Sequence, residues 1–277
     1  MKPSANLILT LTGPSTAGKT VLSELLEQQG FAALVSTTTR PIRKGEEDGV
    51  HYHFLSRKEF YDKLSNGEFI EYVEYDNNAY GICSAEAQKA FDNGKPAILV
   101  AEPHGSEQIH TFCQNHGWSS VRVFVNNPIP VLLDRLLRRF AFDADVALDA
   151  SSGKEDALSA KIDPIRSAIM VDMEGKGMDD LEEITIRHLR SFAQAIEVEL
   201  PSEKLEKLLT THGRRISKIL SQEQEEWVKP AYADGSLYDL VIDEFNDQNT
   251  QDVVQRIMLL VSEPRIQDNP RRSGPRA

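Results

Sequence analysis

The residues whose types and spacing best suit chemistry are the eight that read Gly-Pro-Ser-Thr-Ala-Gly-Lys-Thr near the start of the chain. They fit the pattern G-x-x-x-x-G-K-[ST] at every fixed position. Glycines let backbone N–H groups converge on phosphate oxygens, the lysine can reach the β- and γ-phosphates, and the threonine hydroxyl can bind Mg²⁺. The spacing therefore predicts a site for a nucleoside triphosphate and Mg²⁺, formed by Gly13, Pro14, Ser15, Thr16, Ala17, Gly18, Lys19 and Thr20, with Thr20 as the metal ligand.

A phosphate loop of this kind needs a strand before it and a helix after it. Residues 7–12 alternate Leu or Ile with Thr and predict a buried strand, whereas residues 21–29 carry apolar side chains at helical spacing up to Gly30. The positive end of such a helix points at the anion that the loop would hold.

A second group of charged and aromatic residues follows. Arg40 and Arg43 stand three residues apart, and Tyr52 comes nine residues later. Guanidinium groups bind phosphate through paired hydrogen bonds, so this spacing favours a multidentate phosphate clamp. Taken alone, it equally suits a basic loop that faces water.

The rest of the chain alternates predicted strands and helices. Unbroken apolar runs at 97–101 and 121–125 predict central strands, residues 128–140 a helix, residues 237–242 a last core strand and residues 250–261 a closing helix. Alternation of this kind is typical of a parallel sheet. Residues 31–80 hold short β-prone pieces broken by glycines and predict a small mixed α+β unit.

Length, charge and cysteine content narrow the functional classes. The 277 residues suit one elaborated α/β domain, or a core domain with an insertion, and the net charge of −12 disfavours direct binding to nucleic acid or to anionic membranes. Two cysteines form neither a disulfide framework nor a metal cluster. No apolar run approaches the ~20 residues of a membrane span, and the first strand is too short for a signal sequence, so the cytoplasm is the expected compartment.

Residues 140–213 differ from the rest of the chain. They contain 16 acidic and 8 basic residues, a net charge of −8. Apolar side chains between 181 and 196 predict an amphipathic helix, and Pro201 separates it from another helix at 205–209. Residues 144–161 are expected to be loose, and the tail at 264–277 is expected to be disordered because it is rich in proline and arginine.

Several motifs in order resemble guanylate kinases. Residues 36–54 resemble the family pattern S-x-T-T-R-x-x-R-x-G-E-x-x-G-x-x-Y-x-F, residues 67–71 resemble G-E-F-x-E, residues 78–81 resemble N-x-Y-G, and the phosphate loop resembles G-P-S-x-A-G-K-T. The resemblance covers about residues 6–140 and resumes more weakly at 214–261. It implies an α/β P-loop NTPase fold with a parallel core sheet, a small α+β subdomain for the nucleoside monophosphate, and here a mainly helical lid insertion.

By position, the resemblance also assigns roles to individual residues. Arg40, Arg43, Tyr52 and Tyr80 would bind the phosphate of the acceptor, Glu71 would accept hydrogen bonds from N1 and N2 of guanine, and Ser36 would meet O6. Among the arginines of the lid (Arg135, Arg138, Arg139, Arg214 and Arg215), we favour Arg135 and Arg215. With Lys19 and Arg40, these two would form the catalytic set.

Three single residues depart from the family pattern. Ile82 stands where the family usually has Ser or Thr, Val100 replaces the first aspartate of I-L-D-x-D-x-x-G, and Thr16 stands where Gly is common. Glu102 can replace the second aspartate as a partner for Mg²⁺-bound water or for Arg40. The stretch between the lid arginines is also far longer than the usual lid. We therefore divide the chain into a core at 1–139 and 214–263, with the acceptor subdomain at 36–95, an acidic lid insertion at 140–213, and the tail at 264–277.

These features together predict ATP-dependent phosphorylation of GMP or dGMP, with ATP and Mg²⁺ as cofactors. One alternative is a kinase on the same scaffold that acts on a modified nucleotide, free or in DNA, or on a sugar phosphate. Another is a noncatalytic guanylate-kinase-like interaction module, which the intact Lys19 and Thr20 disfavour. The insertion is expected to serve homo-oligomerisation, a partner or a larger acceptor.

Overall fold

The computed structural model describes residues 6–43, 45–75, 77–146, 154–173, 176, 178–221, 228–229, 231–233 and 237–262. The strands in this part of the chain are β1 (Leu7–Thr12), β2 (Ala32–Ala33), β3 (Thr37–Thr38), β4 (His53–Phe54), β5 (Phe69–Tyr75), β6 (Asn78–Cys83), β7 (Ala97–Val100), β8 (Ser119–Val125) and β9 (Leu240–Ile242). The helices in it are α1 (Lys19–Gln28), α2 (Arg57–Ser65), α3 (Ser84–Asp92), α4 (Pro103–His116), α5 (Ile129–Asp143), α6 (Lys154–Asp172), α7 (Met178–Ala195), α8 (Ser202–Leu220) and α9 (Thr250–Ser262).

The core sheet is parallel, as the alternation of strands and helices predicts. Its strand order is β2-β7-β1-β8-β9, and every neighbouring pair runs in the same direction. All six residues of β1 are buried, which explains why its apolar side chains extend to both faces. The α/β fold class is confirmed, and the carboxyl ends of β1, β7 and β8 meet at one edge of the sheet.

A second, mixed sheet carries the acceptor motifs. Its order is β4-β3-β6-β5, with β3 parallel to β4 and antiparallel to β6, and β6 antiparallel to β5. Helix α2 begins at a capping box in which Ser56 and Glu59 satisfy each other's backbone N–H groups. A hydrophobic cluster of Phe60, Phe69, Ala79 and Cys83 fixes the helix to this sheet.

The chain divides into two compact units. The first comprises residues 1–13, 18–125 and 235–277 and contains both sheets with α1–α4 and α9. The second comprises residues 14–17 and 126–234 and contains α5–α8. Within the second unit, Leu136, Phe140, Leu189, Phe192 and Ile216 are fully buried and form its apolar interior.

Several element boundaries differ from those predicted. Helix α6 begins at Lys154, so residues 154–161 are helical and the expectation of a loose segment is wrong there, while residues 147–153 lie outside the described part of the chain. The last core strand is limited to Leu240–Ile242. Helix α8 runs unbroken through 213 and 214, so the division into core and insertion, which stays a prediction, falls inside a helix. The tail at 264–277 is outside the described residues.

Candidate active site

The phosphate loop needs glycine at both of its fixed glycine positions. Gly13 has φ +147°, and a Cβ there would lie 2.0 Å from the carbonyl oxygen of Val125 at the end of β8. Gly18 has φ +100°, and a Cβ there would lie 2.5 Å from the ring of Phe245. Any side chain at either position would therefore clash or strain the backbone, which explains the fixed pattern in the sequence.

Lys19 and Thr20 occupy the first turn of α1, directly after the loop. The Lys19 ammonium donates a hydrogen bond to the carbonyl oxygen of Gly13 at 2.7 Å, so its side chain bends back over the loop. The Thr20 side chain is exposed. Gly18 provides no side-chain cap for the helix, and the N–H groups at a helix N-terminus favour the binding of an anion such as phosphate.

Thr16 is held in an uncommon conformation by contacts to α5. Its φ of +63° lies in the left-handed region, which costs a β-branched residue about 1 kcal/mol or more. The Thr16 hydroxyl lies 3.1 Å from the carbonyl oxygen of Leu132, and Arg135 Nη1 donates to the Thr16 carbonyl oxygen at 3.0 Å. This departure from glycine therefore links the middle of the loop to the helix that bears the lid arginines.

Arg40, Tyr52 and Tyr80, all assigned to the acceptor phosphate, lie in one cluster. The Arg40 side chain is only 9% exposed and donates two hydrogen bonds to the Glu46 carboxylate, at 3.0 and 2.7 Å. Its guanidinium lies 5.3 Å from the ring centre of Tyr52 and 5.7 Å from that of Phe54. The rings of Tyr52 and Tyr80 meet edge to face with centroids 6.2 Å apart.

Glu46 binds Arg40, a contact that the sequence alone did not predict. The hydrogen bond from Arg40 and a second from the backbone N–H of Arg43 lower the pKa of Glu46 to about 2, and the same pairing raises the pKa of Arg40. Glu46 thus orients Arg40, whereas the Arg43 side chain is exposed. The signal was present, because Glu46 is the fixed acidic residue three positions after Arg43 in the acceptor motif.

Glu71 is a half-buried carboxylic acid on β5. Burial raises its pKa to about 7, and no cation among the described residues offsets that shift. Gly105, in the first turn of α4, faces it closely, because a Cβ at Gly105 would lie 3.4 Å from Glu71 Oε2. The small residue leaves room beside the carboxyl group. A carboxyl group in this environment favours a ligand that supplies hydrogen-bond donors.

The departures Ile82 and Val100 lie in different surroundings. Ile82 lies opposite Glu71 on β6, and its side chain is 1% exposed and packs in the apolar cluster that contains Ile70 and Leu99. It therefore contributes to the core. Val100 ends β7 and is 44% exposed. Glu102 is exposed and occupies the cap position of α4.

Ser36 lies immediately before β3 and is half-buried. Its carbonyl oxygen accepts a hydrogen bond from the backbone N–H of His53 at 2.8 Å, which fixes the start of the strand beside β4.

The lid arginines lie in the helical unit and have different surroundings. Arg135 donates to the carbonyl oxygen of Thr16, as described above. Arg138 is paired with Asp134 at 2.8 Å and donates to Ser159 of α6. Arg215, on α8, is half-buried, and its pKa is lowered by burial and by the charge of Arg139. The two arginines chosen from the sequence therefore lie on two different helices of this unit.

The described geometry supplies the parts of a phosphoryl-transfer site. A glycine-dependent loop with a lysine provides backbone and ammonium donors for a polyphosphate, and a buried arginine with two tyrosines provides donors for a second phosphate. A desolvated carboxyl group lies on a strand of the same mixed sheet. Within the described residues, no helix has both the length and the apolarity needed to cross a bilayer.

Comparison with known proteins gives a consistent family match. A family model described as Guanylate kinase matches residues 5–163. The guanylate kinase of Sulfurimonas denitrificans is 32% identical over 211 residues, which span 74% of this chain and 95% of that protein. The guanylate kinase of Sphingopyxis alaskensis is 36% identical over 146 residues, 52% of this chain and 65% of that protein. The crystal structure of guanylate kinase from Anaplasma phagocytophilum aligns over 94% of this chain and 86% of that chain with a TM-score of 0.44 and 20% identity.

Proposed function

The chain belongs to the guanylate kinase family, and we propose that it transfers the γ-phosphoryl group of ATP to the 5′-phosphate of GMP or dGMP, giving the corresponding diphosphate. The observation that carries the choice of base is the environment of Glu71. Guanine presents adjacent N1–H and N2–H donors, and one carboxylate can accept hydrogen bonds from both. Adenine has no N–H at N1, so it would leave the desolvated carboxylate without donors.

The acceptor's phosphate is assigned to the cluster around Arg40. The hydrogen bonds that Arg40 donates to Glu46 and the flanking rings of Tyr52 and Phe54 already fix the Arg40 guanidinium, so little side-chain entropy is lost when a phosphate binds. Tyr52 and Tyr80 add hydroxyl donors. Arg43 and Ser36 complete the proposed acceptor site through the exposed loop and the start of β3.

The triphosphate is assigned to the loop from Gly13 to Thr20, and its close backbone approaches at the two glycines fit a bound polyphosphate. Lys19 neutralises phosphate charge. Among the described residues no cluster of three His, Cys, Asp or Glu side chains is arranged to hold a metal ion, so Thr20, phosphate oxygens and water are the ligands that we assign to Mg²⁺, with Glu102 in reach of its water shell as a further proposal. When bound, the ion supplies additional positive charge to the phosphates.

No covalent intermediate on the protein is needed for this reaction. The chain's own groups orient the two nucleotides in line and stabilise negative charge on the transferred group. Lys19, Arg40, Arg135 and Arg215 are the catalytic residues in this proposal. The hydrogen bond from Arg135 to the Thr16 carbonyl supports its part, because it places this guanidinium against the middle of the loop.

A nucleotide panel tests the proposal, with release of ADP as the signal. The wild-type chain should turn over GMP and dGMP at least about a hundred times faster, in kcat/KM, than AMP, CMP or UMP, since a missing donor leaves a buried acceptor unpaired. In the Glu71→Gln variant this preference should shrink at least tenfold, with the KM for ATP unchanged.

Glu74→Gln is the matched control for that variant. Glu74 lies on the same strand but is exposed and accepts a hydrogen bond from Tyr61, so its substitution should leave the base preference intact. Equal use of AMP and GMP by the wild-type chain, or an equal loss of preference in both variants, would contradict the assignment of guanine to Glu71.

Two further assignments belong to this proposal. We place the reaction in the cytoplasm, which the two free, buried cysteines support because reducing compartments keep thiols unpaired. We also propose that the helical insertion provides a contact surface for a second copy, a partner or a larger acceptor. Exposed Phe142 and Val171 on its helices support this role. Deletion of the insertion, residues 140–213, should then change oligomeric state, partner binding or acceptor range.

A further inference from the structure

Four polar side chains form a cluster where α5 and α8 pack against each other. His212 of α8 is 1% exposed, and its Nε2 lies 2.9 Å from Asp143 Oδ2 at the end of α5. Arg139 Nε approaches the same carboxylate oxygen at 3.8 Å. Arg215 follows His212 by three residues on α8, so the two side chains share a helix face. The cluster therefore joins one of the proposed catalytic arginines to a buried histidine.

The hydrogen bonding of His212 defines which nitrogen carries the proton. Burial lowers the pKa of His212, so the ring is neutral at pH 7. A neutral ring that donates to Asp143 from Nε2 has a lone pair at Nδ1. In the described part of the chain, His212 Nδ1 and Arg215 Nη1 are both buried without a hydrogen-bond partner. One is an acceptor and the other a donor, their residues lie one helical turn apart on α8, and the structure shows no hydrogen bond between these two atoms.

The charges of the cluster leave an excess of positive charge. Asp143 is the carboxylate that acts on both Arg139 and Arg215, and the two guanidiniums repel each other. Because His212 is neutral, it occupies one side of the carboxylate without adding a third positive charge. Two guanidiniums with one carboxylate suit a dianionic ligand group such as a phosphate.

We propose that Asp143 and His212 are positioning residues for Arg215: Asp143 orients the His212 ring through Nε2, and Nδ1 of that ring accepts a hydrogen bond from the Arg215 guanidinium when Arg215 binds a nucleotide phosphate. This inference rests on the proposed function, since it assumes that Arg215 stabilises the transition state. Orienting the guanidinium before the reaction costs less free energy than ordering it during the reaction.

Two substitutions separate the roles of the two ring nitrogens. In His212→Asn the side-chain amide lies at the position of Nδ1, so an acceptor for Arg215 is kept, whereas in His212→Gln the amide lies at the position of Nε2, so only the bond to Asp143 is kept. We expect His212→Gln to lower kcat about tenfold with the KM for GMP and ATP within twofold, because misplacing one group by about 1 Å can cost up to a hundredfold. His212→Asn should keep at least three times the kcat of His212→Gln.

His188 provides the matched control. It lies on α7 and pairs with Asp172 at the same 2.9 Å, but it has no part in the Arg139–Arg215 cluster. His188→Gln should leave kcat unchanged. A similar loss of kcat in His188→Gln and His212→Gln would mean that such pairs act only through folding of the helical unit, and this would overturn the inference.

A double-mutant cycle with Arg215→Ala gives the decisive measurement. If His212 acts through Arg215, His212→Gln should cause no further loss of kcat in the Arg215→Ala background. Independent, multiplicative losses would overturn the inference, as would a wild-type kcat in His212→Gln. Should both His212 variants fail to fold, Asp143→Asn carries the same test, because its side chain is 32% exposed and the change is isosteric.

The two proposals fail in different ways. A wild-type chain that phosphorylates no mononucleotide contradicts the proposed function. If the wild-type chain is active but the His212 and Asp143 variants keep the full kcat, only the positioning role is contradicted. The same holds if these variants lose kcat independently of Arg215.

Discussion

The mixed sheet and the helical unit hold their polar side chains in different ways. In the acceptor region, charged partners are close in sequence, with Arg40 and Glu46 six residues apart. In the helical unit they are distant, and Asp143 and His212 are separated by 69 residues. The first arrangement is encoded in a local motif. The second exists only once α5 and α8 have packed together.

The geometry of the two regions therefore depends on different parts of the chain. The acceptor region fixes its guanidinium through a neighbouring loop residue and two aromatic rings, so its geometry depends little on distant parts of the chain. The helical unit brings Arg215 into place through a fully buried apolar interior, which includes Phe140 and Phe192. A motif is therefore a good guide to the first region and a poor guide to the second.

Substitution of Lys19 should have the largest effect, and it tests the phosphate loop, which, like the acceptor region, is specified by a local motif. Lys19→Ala removes the ammonium that folds back over the loop. We expect kcat to fall by about a thousandfold or more, because electrostatic stabilisation of the transferred phosphoryl group is the main catalytic term. A coupled assay of ADP release at saturating ATP and GMP measures it.

Lys58→Ala is the matched control. Lys58 is an exposed lysine near the start of α2, paired with Asp62, and its loss should change kcat less than twofold. A Lys19→Ala variant that retained a tenth of the wild-type rate would show that the loop motif does not mark the catalytic donor site.

The sequence predicted the phosphate loop and much of the acceptor cluster because the partners there are local. The positions of Gly13 and Gly18 could be derived from backbone chemistry alone. Glu46 could have been assigned from the same motif, since an acidic residue beside two arginines invites pairing. The resemblance to a known family supplied the role of Glu71, which spacing alone does not give.

The sequence could not predict the contacts of the helical unit. His212 is a single histidine in an amphipathic helix, and its partner Asp143 is recognisable only after α5 and α8 are placed. The extent of α6 was also missed, because an Ala-, Ser- and Asp-rich stretch is a weak helical pattern that tertiary packing can override. The contact between Thr16 and Leu132 has the same origin, since it depends on where α5 lies.

The next largest effect should be the pH dependence of kcat/KM for GMP, which tests the acceptor region. In the proposed function the ionised form of Glu71 accepts hydrogen bonds from guanine, whereas in the free protein burial raises the pKa of Glu71 to about 7. Lowering the pH from 7 to 6 should therefore reduce kcat/KM for GMP about fivefold, beyond the change seen in Glu71→Gln. The difference between the two pH profiles excludes titration of the GMP phosphate itself.

The raised pKa of Glu71 also makes the stability of the folded protein depend on pH. The folded pKa of Glu71 lies above the ordinary value of 4.5, so the folded state holds a proton between pH 4.5 and 7 and loses stability as pH rises through that window. At pH 8, Glu71→Gln should raise the free energy of unfolding by about 1–3 kcal/mol, with the gain vanishing near pH 4.5. Equal stability at pH 8 would contradict the buried state of this carboxyl group.

The smallest effect is expected for an ion pair between helices of the second unit. Arg190 of α7 binds Glu206 of α8 through two hydrogen bonds, at 2.6 and 3.0 Å, but both side chains are about half exposed. Arg190→Ala should therefore destabilise the unit only slightly, because water screens such pairs.

Phe192→Ala, two residues along α7, gives the contrast. Phe192 is fully buried beside Phe140, and its removal should cost about 3–5 kcal/mol. Hydrogen exchange of the α7 and α8 amides in both variants compares the two losses directly. If Arg190→Ala increased hydrogen exchange in these helices as much as Phe192→Ala does, surface charge rather than the apolar interior would hold Arg215 in place. The two regions would then not differ in the way described above, because charged pairs would fix the geometry of both.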